Sequence, residues 1–167
     1  MHIFVNVPYR MVEKNLERAS SLSIGLEIYI DNHLIEEIDT GHVKELGKKL
    51  RDFNIPCTVH APFMDLSPGG YDRLVRRITR EKLKKTIEIG NILEAKACVC
   101  HPGYDKWRFD GNEQLWLDGS IETWSEVLDA ANRDLLVIIE NIFEETPETL
   151  IALFDYFREK NLWFCFD

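Results

Sequence analysis

Along this chain, short apolar runs rich in β-branched residues alternate with longer stretches whose apolar positions recur every three or four residues. The short runs are HIFVNV, GLEIYI, CTVHA, ACVCH, LLVIIENI and LWFCFD. Apolar on both parities, they predict strands buried on both faces, and therefore a parallel sheet flanked by helices. The stretches between them are MVEKNLERASSL, TGHVKELGKKLRDF, YDRLVRRITREKLKKTIEIGNIL, SIETWSEVLDAANR and TPETLIALFDYFREK, which predict five crossover helices. Asp72, Ser120 and Thr146 are the N-cap candidates, with Pro147 in the first turn after the last of them. Strands joined by right-handed crossovers make either an open doubly wound sheet or part of a closed (β/α)8 barrel. The first strand runs into NVPYR rather than a glycine-rich turn, so a dinucleotide crevice is not supported.

In both architectures functional groups gather where strands end and the following loops begin. Here the third strand ends in His60, the fourth in His101, the fifth in Glu140 and the sixth in Asp167. Parity places Thr58 with His60, Val99 with His101, Ile138 with Glu140 and Cys165 with Asp167 on one face, toward the barrel axis. Two imidazoles and two carboxylates meeting in a concave site form a ligand set for a divalent metal, zinc or manganese before iron. A single histidine at a strand end is more often a hydrogen-bonded structural group. Four polar ligand types in register favour the metal.

Composition narrows the partners. One domain spanning residues 1–167 is the expectation for a chain of this length. A net charge of −9 opposes a phosphate backbone, so DNA is a disfavoured partner. The basic run RLVRRITREKLKK carries Leu74, Ile78 and Leu83 near helical spacing and reads as the solvated face of an amphipathic helix. Cys57, Cys98, Cys100 and Cys165 lie in apolar strands, which suits free thiols in a reducing compartment. Cys98 and Cys100 share a face with each other and not with His101, against a Cys-x-Cys metal site. The opening MHIFVNVPYR has no basic leader, and no apolar run approaches membrane length; the expectation is a cytoplasmic protein without a membrane partner.

The long loop HPGYDKWRFDGNEQLW offers Tyr104 and Trp107 as flat surfaces for a substrate and Arg108 as a partner for its charge. The plainer reading of its aromatic residues is a lid packed on the scaffold. Pro62, Pro102 and Gly103 turn the chain away after the two histidines, and Gly69 and Gly70 permit a left-handed turn before the third helix. Glu27 shares the parity of Tyr29 and Asp31 and is expected to face the interior, beside the ligands.

The phrases VHAPF, DLSPGG, HPGYD, IENIFEETPETL and FCFD resemble the xylose isomerase-like TIM barrels, the superfamily of sugar phosphate isomerases and epimerases and endonuclease IV-type AP endonucleases. The resemblance spans nearly the whole chain. It implies a TIM-barrel α/β fold of which about six of eight βα units are present, the chain stopping after strand six. By it His60 and His101 look like ligands of one metal, Glu140 like a bridging and catalytic carboxylate, and Asp167 like a ligand of a second metal. Histidines after strands three and four resemble the endonuclease-like branch, implying hydrolytic, phosphodiesterase-type chemistry on a small phosphorylated substrate. HAPFMDLSPGG and HPGYDKWRFDG are also similar to cobamide-remodelling members. The alternatives are a sugar phosphate isomerase or epimerase, an AP endonuclease, or a non-catalytic truncated barrel whose open sheet edges a second copy of the chain would cover.

Overall fold

The computed structural model describes residues 3–144 and 146–166. Six parallel strands form one sheet in the order of the chain: β1 Phe4–Pro8, β2 Gly25–Tyr29, β3 Cys57–His60, β4 Ala97–Cys100, β5 Leu136–Glu140 and β6 Leu162–Cys165. This simple order, each strand paired with the next, is that of a (β/α) barrel opened along one side and not of a doubly wound sheet with a reversal point. Helices α1 Val12–Ser21, α3 Thr40–Asp52, α4 Arg73–Leu93, α5 Glu113–Ala130 and α6 Glu148–Tyr156 follow the pattern of apolar positions.

Three helical features depart from the sequence expectation. A short helix, α2 Leu34–Glu37, stands in the connection after β2, because Asp31 Oδ1 accepts from the backbone N–H groups of His33 and Leu34 while Leu34 and Ile35 are buried. Helix α5 begins at Glu113, well before Ser120: Asn112 is its N-cap, accepting from Leu115 N, and Ser120 is buried inside the helix. Asp72 does cap α4, accepting from Leu74 N. The cap position of α6 falls on Pro147 and not, as expected, on Thr146, and carries no side-chain hydrogen bond.

The core lies between the sheet and the helices. On β5 Val137 and Ile139 are fully buried against the helices, whereas Leu136, Ile138 and Glu140 on the inner face are only partly covered. Cys57, Cys98 and Cys100 are buried, and the Cys98 and Cys100 sulfurs lie 3.8 Å apart. The neighbouring Cys98 thiol, and then burial, push the Cys100 thiol well above its ordinary value, so it stays protonated.

Cations of the basic run are taken up by neighbouring helices. Arg76 and Arg80 meet Glu122 at 2.9 and 3.2 Å, Arg80 also reaches Glu126 at 3.3 Å, and Lys82 meets Glu36 at 2.7 Å. None of the described helices is long and apolar enough to cross a membrane.

Candidate metal centre

Parallel register brings the strand ends to one level. His60 pairs with Val99, Val99 with Ile138, and Cys100 with Ile139, so His101 and Glu140 follow one residue beyond that last pair. His60, His101 and Glu140 each offer a ligand atom, and the three atoms lie within 4.8 Å of one another. Glu140 Oε2 stands 3.1 Å from His101 Nε2 and 3.5 Å from His60 Nε2. All three side chains are largely buried. Asp167 lies outside the described residues.

The donor chemistry fits a divalent cation. His60 Nδ1 is 2.8 Å from the carbonyl of Ala61 and donates a proton there, so Nε2 is the nitrogen turned toward Glu140 and His101. Two imidazole nitrogens and one carboxylate oxygen are the protein ligands of catalytic zinc sites, in which a further coordination position stays open. Cys98 and Cys100 are not part of the group.

Aromatic rings wall the trio. Phe63 stacks on His101 with ring centroids 4.5 Å apart and planes at 27°, and meets His60 edge-on at 5.8 Å. Tyr29, which pairs with His60 across the strands, meets that imidazole edge-on at 5.6 Å. Burial, and then the charge of Asp31, push the Tyr29 phenol above its ordinary value, so it stands there as a neutral hydroxyl. Sequence reasoning assigns neither residue to the site. Tyr29 carried a signal, since it ends an inner-face strand position; Phe63 carried none beyond following a histidine-containing strand.

The turns after the histidines are fastened to the scaffold. Ala61 N donates to Val99 O at 2.9 Å, and Trp116 Nε1 donates to Pro102 O at 3.1 Å. Gly103 takes a left-handed φ of 66°, where an added Cβ would stand 2.8 Å from Pro68. Gly69 and Gly70 do not adopt positive φ. At Gly69 glycine is required by proximity: a Cβ would fall 2.4 Å from the Trp116 carbonyl oxygen. Glu27 accepts from Asn6 Nδ2 at 2.9 Å and lies opposite Thr58 in register.

A cavity of about 200 Å³ reaches the trio at His101, and is lined also by Phe63, Tyr104 and Arg108 and by the acidic residues Asp65, Asp105 and Glu144; His60 and Glu140 do not line it. Of the aromatic pair expected to hold a substrate, Tyr104 is only 5% exposed, stacked on Phe109 and edge-on to Trp116. Trp107 is 86% exposed and does not line the cavity.

Residues 22–167 match the family described as xylose isomerase-like TIM barrel. The chain belongs to that family. An uncharacterised protein of Methanocaldococcus jannaschii, MJ1311, is 32% identical over 127 residues, covering 71% of this chain and 43% of its own length. Among solved structures, the TTHB071 protein of Thermus thermophilus, soaked with ZnCl2, superposes with a TM-score of 0.77 at 25% identity. A D-tagatose 3-epimerase-like protein does so with a TM-score of 0.78 at 26% identity. Each alignment covers 100% of this chain, and 66% and 65% of the respective neighbours. The chain thus spans less than half of MJ1311 and about two thirds of each of these two solved neighbours.

Proposed function

We propose that this xylose isomerase-like barrel is a divalent-metal-dependent enzyme, with zinc or manganese held by His60, His101 and Glu140 and a hydrolase-type reaction on a small phosphorylated substrate. The observation that carries the proposal is the convergence of two imidazoles and one carboxylate within 4.8 Å at neighbouring strand ends. A two-histidine, one-glutamate donor set is that of hydrolytic zinc sites. Asp167 is proposed as a further ligand, from the motif FCFD. A divalent ion held there supplies Lewis acidity, lowering the pKa of water or polarising a substrate oxygen.

The protein groups have separable parts in this scheme. Ala61 keeps the proton of His60 on Nδ1 and so keeps Nε2 available. Glu140 offers a carboxylate oxygen to both imidazoles. Arg108, on the cavity wall, is proposed to meet substrate charge; Tyr104 forms part of the same wall, and Trp107 is exposed on the same loop.

A second reading, a sugar isomerase or epimerase, is favoured by the cavity's charge. Asp65, Asp105 and Glu144 against Arg108 disfavour a phosphate dianion and suit the hydroxyl groups of a neutral polyol. In that scheme a carboxylate moves a proton between sugar carbons. The D-tagatose 3-epimerase-like neighbour supports it.

Elemental analysis of the purified chain, with His101→Ala beside it, tests the shared premise. Near-stoichiometric zinc or manganese that disappears in the variant is expected; no uptake by the wild type would overturn both readings. Turnover of a phosphodiester panel, abolished in the His60→Ala, His101→Ala double variant, supports the hydrolase. Deuterium incorporation from solvent into a sugar, without phosphodiester turnover, supports the isomerase instead.

A further inference from the structure

We propose that Phe63 is a positioning residue for the metal site: its ring sets the plane of the His101 imidazole and thereby the direction of Nε2, the nitrogen turned toward Glu140. The inference rests on the metal reading of the trio and goes beyond it by assigning a non-ligating side chain the control of ligand geometry. Each imidazole has a polar contact, and His101, whose Nε2 is 3.1 Å from Glu140 Oε2, has a stacked ring besides. The His60 plane is fixed by its Nδ1 hydrogen bond to Ala61, since turning the ring would break a 2.8 Å contact. The face of His101 is covered by Phe63, centroid to centroid at 4.5 Å and 27° from parallel.

Phe63 is itself held. Tyr29 packs against it at 6.0 Å and His60 edge-on at 5.8 Å, so three rings surround it. Its backbone belongs to a fastened turn: Ala61 N donates to Val99 O, and Phe63 O accepts from Leu66 N at 3.1 Å. A rigid ring lying across a ligand imidazole restricts its tilt, and it keeps bulk water from that face. Removing hydrogen-bonded groups that orient metal ligands typically changes metal affinity by about 10- to 100-fold, and that range sets the scale for the stacked ring.

The test is a cobalt(II) titration of the whole chain, read by visible absorption, for the wild type, Phe63→Leu, Phe63→Tyr and His101→Ala. Phe63→Leu is expected to bind cobalt about 10- to 100-fold more weakly, with a changed absorption envelope. Phe63→Tyr, which keeps the ring, retains both affinity and spectrum. In metal-free protein the His101 ring protons are expected upfield in NMR under the Phe63 ring current, and that displacement disappears in Phe63→Leu. Circular dichroism checks folding; if Phe63→Leu is misfolded, Phe63→Met, unbranched and ringless, takes its place. Wild-type affinity and spectrum in the folded ringless variant would overturn this inference while leaving the metal reading intact. A wild type that takes up no cobalt would overturn both.

Discussion

Tyr104 and Trp107 are three residues apart in one loop, and burial separates them. Tyr104 fills a gap between Phe109 and Trp116, so Tyr104→Ala is expected to cost about 3–5 kcal/mol in urea unfolding, the range for deleting a buried aromatic ring. Trp107→Ala, at an exposed position, should change stability by less than about 0.5 kcal/mol. If Trp107 holds substrate, KM rises in that variant with unchanged unfolding; an unchanged KM removes it from the binding set. The loop's sequence could suggest aromatic surfaces but not which of them turns inward, because three-residue spacing in an irregular loop carries no period from which to read a face.

At the scale of elements, charge joins α4 to α5, and a close approach joins α5 to the turn at 67–70. The hydrogen bond from Arg76, and then that from Arg80, hold the Glu122 carboxyl below its ordinary value. A carboxyl with a depressed folded-state pKa adds stability above its unfolded value and loses it as pH falls through the folded one. The Glu122→Gln variant is therefore expected to be less stable than the wild type at pH 7 by about 0.2–1 kcal/mol, as for other half-exposed pairs. The gap should close in acid, below the carboxylate range, which chemical denaturation across pH would show. Gly69→Ala would drive a Cβ into the Trp116 backbone and push α5 from the turn at 67–70, an overpacking cost of about 1–3 kcal/mol measurable by the same method. Periodicity reveals both helices. It does not reveal the start of α5, because a buried serine and a capping serine look alike in sequence, and Asn112 makes the capping bond.

For the whole molecule, six parallel strands in chain order leave β1 and β6 at the edges of the sheet among the described residues, with Val5, Trp163 and Phe164 exposed there. By the proposed function, metal held by His60, His101 and Glu140 would tie β3, β4 and β5 together, and a ligand that binds only the folded state raises its stability. At a hundred times Kd the gain is about 2.7 kcal/mol, which for a domain of this size raises Tm by about 5–11 °C. Differential scanning calorimetry with zinc should show that rise in the wild type and none in His101→Ala. The amino-acid sequence alone determined the alternation of strands and helices, the parallel sheet, and the candidate ligands at three described strand ends, because residue spacing on a strand or helix directly encodes which face a side chain takes. The packing of Phe63 and Tyr29 around the histidines, the tautomer of His60, the need for glycine at 69, and the neutralisation of the basic run by Glu122 and Glu126 were decided only by tertiary structure. Each depends on the distance between groups from different elements, and no local period carries that distance.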